Sequence, residues 1–276
     1  MKQIPRLEIE QILAELKGTC GLYIEHLGTG EVFEVNGDKV LPSASVIKVP
    51  MLALLLKDVH DGIYDWKAPQ AISEENTVGG SGILYHLDRY YQPSLESTAK
   101  LMIQLSDNMC TNHIMDLIGM ERFNEYWAEN GYSSFKLMRK MMDWAKIAEG
   151  KNNFLSAGDI GRLLVQIGRG ELISKEICDT IIHIMRGQQL RGKLPALIPS
   201  VPGYMPPEAY ETVAEGMVLV ACKSGSVAKV SHDVGIFDLP DGSRYVIAML
   251  TADLEKDMDG TTAISKVSKV CYDAFK

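Results

Sequence analysis

Ser43-Ala44-Ser45-Val46-Ile47-Lys48-Val49-Pro50-Met51-Leu52-Ala53-Leu54-Leu55-Leu56 is the stretch on which the reading of the fold turns. Before it the apolar residues group as strands, and from about Ser45 to Arg186 they recur at helical spacing. Small residues followed by an unbroken apolar run predict a buried helix opened by Ser45. Upstream, Ile9, Ile12, Leu13 and Leu16 mark one face of an amphipathic helix. Two β-rich runs follow, about 20–27 and 31–35, joined by Gly28-Thr29-Gly30 as in a hairpin.

Downstream, Gly119 and Asn130-Gly131 stand where helices end, and Ser156 and Ser174 stand where helices begin. Between Gln188 and Gly216, Pro195, Pro199, Pro202, Pro206 and Pro207 exclude a regular element and predict a long surface connection. Three more β-rich runs follow at 217–222, about 231–238, and 244–251, the last two joined through Leu239-Pro240-Asp241-Gly242. Ile264, Val267, Val270, Cys271 and Ala274 then mark a closing helix. Strands at both ends with helices between predict an α/β (α+β) fold: a five-stranded antiparallel sheet flanked by terminal helices, with an inserted all-helical domain. The expected sheet domain is 1–44 plus 215–276 and the helical domain 45–214, with a site in the cleft between them. No internal repeat or low-complexity tract is present.

The 276 residues suit one large domain or two closely packed ones, and 46% hydrophobic with 23% charged residues is ordinary globular usage. A formal net charge of −8 has the wrong sign for a nucleic-acid-binding protein. No two of the five cysteines lie within four residues, so neither a CxxC redox pair nor a zinc pattern can be drawn. Charges near the N-terminus replace the apolar core of a signal peptide, and no run of 18 uncharged apolar residues occurs to span a membrane. The chain as it stands reads as cytoplasmic, or as an exported protein whose leader is gone; the sequence leaves both open, and it is silent on oligomeric state.

HExxH, GxSxG, P-loop and GxGxxG patterns are absent, and the six histidines show no metal-ligand spacing, so no metal or cofactor is expected. Serine with lysine remains. S-x-x-K occurs four times, from Ser45, Ser97, Ser133 and Ser226. About one match arises by chance at average residue usage. Only Ser45 opens a long apolar helix, on which residues three apart face the same way and the Lys48 amine reaches the Ser45 hydroxyl. Burial would lower the lysine pKa and free a neutral amine to act as a base. Taken alone, the motif equally describes a Ser N-cap followed by a solvated lysine. Ser106-Asp107-Asn108 and Lys223-Ser224-Gly225 follow in order, one interrupting a helix and the other ending a β-rich run.

The ordered set SxxK, SDN, KSG resembles the signature of class A β-lactamases and the related penicillin-binding proteins, over nearly the whole chain. Gly80-Ser81-Gly82-Ile83-Leu84, Asn112, Arg139-Lys140-Met141-Met142-Asp143 and His232-Asp233-Val234-Gly235 are similar to further segments of that family. The resemblance implies a serine hydrolase acting on a small carboxylate-bearing substrate, a β-lactam or a D-Ala-D-Ala-like amide. Ser45 would be the nucleophile, Lys48 its base and Ser106 a proton relay. Asn108 would hold the substrate's amide, and Lys223 with Ser224 and Gly225 its carboxylate end. The backbone N–H groups of Ser45 and Ser226 would form the oxyanion hole.

The family's E-x-x-L-N segment, whose glutamate activates the deacylating water, has no counterpart: at the corresponding offset stand Met141 and Met142. Asp143 and Glu149 are the nearest carboxylates, and Glu149 reads equally as a solvated helix-end charge. Met138, Met141 and Met142 read as core or pocket wall and Cys110 as a buried helix residue. His232-Asp233 reads either as a pair polarising the site or as a strand histidine satisfied by its neighbouring carboxylate. Three functions follow: a β-lactamase, an acyl-enzyme trap or esterase/amidase with slow deacylation, and a non-catalytic binding module, against which the intact Ser45 and Lys48 argue.

Overall fold

The computed structural model describes residues 2–203, 205 and 216–276. Pro206 and Pro207 of the expected connection, and Glu215 at the expected domain boundary, lie outside the described residues. The chain divides into two compact units, Met1–Val46 with Leu155–Lys276, and Ile47–Phe154.

The first unit carries a five-stranded sheet built from β1 (Thr19–His26), β2 (Glu31–Val35), β5 (Leu219–Val227), β6 (Val230–Asp238) and β7 (Arg244–Ala252), in the order β2-β1-β7-β6-β5. The three-residue strands β3 (Val40–Pro42) and β4 (Phe154–Ser156) lie outside it. All four pairings are antiparallel. Phe33, Ile24, Ile247, Gly235 and Cys222 stand opposite one another in one row, and Glu34, Tyr23, Ala248, Val234 and Lys223 in the next. Side chains alternate faces along a strand, so these two rows point to opposite sides of the sheet. The Ile24 row packs on α1 (Arg6–Ala14) and α9 (Asp257–Phe275) through Ile9, Ile264, Val267, Cys271 and Phe275.

The other face is covered by α7 (Ala157–Arg169) and α8 (Lys175–Arg186), which the sequence reading assigned to the helical domain. Glycines explain the difference. Gly161 and Gly168 are two turns apart on α7, and a Cβ at Gly161 would fall 2.3 Å from the Tyr23 ring. A helix stripped of side chains along one stripe sits directly on a sheet. The helical unit is therefore shorter than the expected 45–214.

The expected surface connection also differs. Leu194 is fully buried and Ile198 nearly so, both in the core under the sheet. Apolar residues beside the prolines draw this irregular segment inward, and side-chain hydroxyls satisfy its backbone: Ser265 Oγ donates to Lys193 O at 3.0 Å and Ser268 Oγ to Leu194 O at 2.6 Å.

The second unit contains α2 (Lys48–His60), α3 (Leu95–Gln104), α4 (Asn108–Ile118), α5 (Met120–Glu129) and the short α6 (Trp144–Ala148). Every residue of α2 from Lys48 to Leu56 is buried, as its all-round apolar sequence requires. Ser94 caps α3 and Asp107 caps α4, each accepting from a backbone N–H of the first turn. Among the described residues no helix is long and apolar enough to cross a membrane.

Candidate active site

The boundary between the units falls inside the S-x-x-K motif. Ser45, half-buried, lies in a 3₁₀ turn, Ala44–Ile47, that runs straight into α2, of which Lys48 is the first residue. Ala44 has φ +43°, a left-handed conformation that a non-glycine residue adopts at a cost of order 1–3 kcal/mol.

Within Ile47–Phe154, Lys48 has no solvent exposure. Its Nζ donates to Ser106 O at 2.9 Å, to Ser106 Oγ at 3.0 Å and to Asn108 Oδ1 at 3.2 Å. Ser106 also carries a left-handed φ, +56°, which turns both its carbonyl and its hydroxyl to the amine. Asn108 donates from Nδ2 to Gly79 O at 3.1 Å, and each end of its amide keeps capacity for one more bond. Asp107 holds the 79–84 loop: its Oδ2 accepts from the N–H groups of Ile83 and Leu84, both at 2.8 Å. Gly82, at φ +114°, passes so close that a Cβ would fall 2.2 Å from that same oxygen. Burial pushes the Cys110 thiol far up, and an un-ionised thiol is a poor nucleophile.

The segment that would carry the deacylating carboxylate is tied down by asparagines. Asn112 accepts from Met141 N–H at 2.7 Å, and Asn153 Oδ1 accepts from Met138 N–H at 2.8 Å and Arg139 N–H at 3.1 Å. Asp143 caps α6, accepting from Lys146 N–H at 3.0 Å. Glu149 is exposed and ion-paired with Lys146 and Lys151, which hold its carboxyl below the usual range.

In the sheet unit, Lys223-Ser224-Gly225 lies in the middle of β5, the outermost strand, and does not end it. Alternation puts Lys223 and Gly225 on the α7 face and Ser224 and Ser226 on the α9 face. Ideal Cβ placement at Gly225 falls 2.9 Å from Ser45 N and 3.0 Å from Ala44 Cβ. Only a glycine lets β5 approach the Ser45 amide this closely, so the fold brings together the backbones of Ser45 and Gly225-Ser226. Lys223 is fully buried and donates to Ser224 O at 2.7 Å. Burial pulls its amine from 10.5 down to about 7, against the pull of the Asp233 carboxylate. Burial likewise raises Asp233 to about 6, opposed by Lys193 and by the Leu194 N–H, which donates to it at 3.0 Å.

Two features here escaped the sequence reading. Lys193, two residues before the first of the prolines and with no periodicity to flag it, is buried and donates to Gly225 O at 2.8 Å, Ser226 Oγ at 2.8 Å and His232 O at 3.0 Å. His232 is satisfied by backbone groups rather than by Asp233, which lies on the other face of β6. Its Nδ1 accepts from Thr251 N–H at 3.0 Å and its Nε2 therefore donates to Pro42 O at 2.7 Å. This ties β6 and β7 to the segment entering the Ser45 turn.

The Beta-lactamase enzyme family matches residues 5–275, and the chain belongs to that family. It is a serine hydrolase of the β-lactamase type. A β-lactamase of Bacteroides uniformis is 26% identical over 100% of this chain and 93% of its own. The crystal structure of a β-lactamase from Sphaerobacter thermophilus DSM 20745 superposes with a TM-score of 0.85 at 26% identity, covering 99% of this chain and 98% of that one. The structure of PBP-A gives a TM-score of 0.84 at 30% identity, covering 99% and 96%.

Burial lowers His232 from 6.5 to about 4. Between those values the unfolded chain binds a proton that the folded chain refuses, so stability falls as pH drops through this window, by on the order of 3 kcal/mol. Urea unfolding at pH 7 and pH 4.5 is expected to show a larger loss for the wild type than for His232→Gln. Equal losses would contradict the neutral, locked imidazole.

Proposed function

We propose that this chain is acylated at Ser45 by β-lactams or similar carboxylate-bearing amides and esters, and that it releases the acyl group slowly. The observation that carries the reading is the enclosed Lys48 amine, one helical turn along the chain from Ser45 and bonded to the SDN serine and asparagine. Ser45 Oγ attacks the lactam carbonyl carbon while its proton passes to Lys48. The negative oxygen that forms is met by the N–H groups of Ser45 and Ser226. As the C–N bond breaks, the Ser106 hydroxyl delivers a proton to the departing nitrogen and is itself reprotonated from Lys48. Asn108 lends its spare amide capacity to the substrate's side chain. Lys223, with Ser224 and Gly225 at the sheet's edge, receives the carboxylate. No step calls for a metal or cofactor.

Deacylation needs a base for water, and neither nearby carboxylate is well suited. Asp143 is engaged as a helix cap, and the lysines around Glu149 make it a weaker base. Such assistance is typically worth about 10² to 10⁴ in rate. A chromogenic β-lactam is therefore expected to give a burst close to stoichiometric with enzyme, then slow turnover that Glu149→Gln leaves unchanged. Ser45→Ala and Lys48→Ala should abolish the burst. Rapid multiple turnover, or a slower rate in Glu149→Gln, would contradict the deacylation reading. A burst surviving in Ser45→Ala would contradict the nucleophile.

The anion role of Lys223 carries its own pH signature. A charge-assisted hydrogen bond contributes about 1.5 to 3 kcal/mol, or one to two decades in kcat/KM. With the amine near 7, its charge is present below that pH and lost above it. Acylation by an acid substrate should exceed that by its methyl ester at pH 6, and the ratio should shrink by pH 9. A ratio that stays constant across this range would remove the role from Lys223.

A further inference from the structure

We infer that Lys193 is a positioning residue that orients and polarises the Ser226 N–H from behind. The inference rests on the reading of that N–H as one arm of the oxyanion hole. Gly225 O and Ser226 N belong to the same peptide unit. That unit is trans, so its carbonyl oxygen and its N–H point in opposite directions. Whatever grips the oxygen therefore fixes the direction of the N–H. An ammonium on the oxygen also draws electron density along the amide and makes the N–H a stronger donor, the cooperative effect of linked hydrogen bonds.

The lysine is built for this. Its three N–H protons meet three acceptors, Gly225 O, Ser226 Oγ and His232 O, so the head group is fully used. Two of those acceptors bracket the peptide in question and the third lies directly opposite on β6, where His232 pairs with Gly225. Its main chain is anchored as firmly: Ser265 and Ser268 of α9 bond the carbonyls of Lys193 and Leu194, and Asp233 takes the Leu194 N–H. Lys193 approaches from the α9 face, while the Ser45 amide lies against the α7 face of Gly225. Lys193 thus acts through the peptide and not on the substrate. Although burial lowers the amine, it does so only to about 8, which leaves most of it charged at pH 7.

The test separates the oxyanion from the rest of the ligand. For wild type, Lys193→Met, Lys193→Gln and Lys193→Arg, three quantities are measured: the acylation rate constant with a penicillin, the Kd of an arylboronic acid, whose tetrahedral adduct presents an oxyanion, and the Kd of the hydrolysed penicillin, which presents only carboxylates. Lys193→Met is expected to lower acylation and boronate affinity together by about 10- to 100-fold, the scale of a lost or misaimed donor. Its product Kd should stay within about threefold of wild type, and Lys193→Arg should recover much of the loss. If Lys193→Met fails to fold, Lys193→Gln carries the same comparison. An equal fall in boronate and product affinity, or no change in either, overturns the inference. If the wild type itself takes up no penicillin, the reading of the site fails and this inference with it. If the wild type is acylated and the uncharged variants match it, only the role of Lys193 fails.

Discussion

A lysine amine shut away from water must either give up its charge or find acceptors that replace its hydration, and Lys48 finds three oxygen atoms in the Ser106-Asp107-Asn108 turn. Much of the local architecture of the helical unit follows from this requirement. Ser106 takes up a left-handed backbone so that two of its oxygens face one nitrogen. Asp107, turned the other way, caps α4 and pins the 79–84 loop. Asn108 shares its amide between Lys48 and that loop. Removing the amine would take a donor from these buried acceptors, and a buried acceptor left unsatisfied costs about 1–3 kcal/mol. The chemistry proposed for this site and the packing thus depend on the same hydrogen bonds.

The sheet unit answers a related constraint differently. Two buried lysines, Lys193 and Lys223, share the neighbourhood of one buried carboxylate, Asp233, and burial pulls both amines down. Alternation along β5 and β6 sorts these groups to opposite faces, with the glycine at 225 leaving room for the Ser45 turn on one side and Lys193 closing the other. His232 fastens the strand preceding that turn to β6 and β7. The backbone at Ser45 is therefore braced by the sheet, while the amine one turn on is braced by the helical unit.

Much of this was legible in the sequence because it is written in local patterns. Alternating and continuous apolar runs marked all five sheet strands, and the terminal helices followed from spacing alone. Of four S-x-x-K matches, the one opening an unbroken apolar helix is the one whose lysine is buried; Lys100 of the Ser97 match is ion-paired with Glu96. What stayed hidden depends on partners distant in the chain. Nothing near Lys193 announces that its acceptors lie more than thirty residues on. The Pro42 carbonyl to which His232 donates is 190 residues away. The glycines of α7 became meaningful only against Tyr23. The connection from Gln188 to Gly216 reads as surface because its prolines forbid regular structure, yet its irregular backbone is buried at Lys193 and Leu194, where serine and aspartate side chains supply the hydrogen bonds.

The central claim is that one serine, selected by a buried lysine, carries the covalent chemistry. Peptide mapping after exposure of the intact protein to a penicillin tests it most directly. The account predicts a single adduct, of the mass of one intact penicillin, on the peptide containing Ser45. An adduct on Ser97, Ser133 or Ser226, or no adduct on a protein that still hydrolyses the drug, would contradict it.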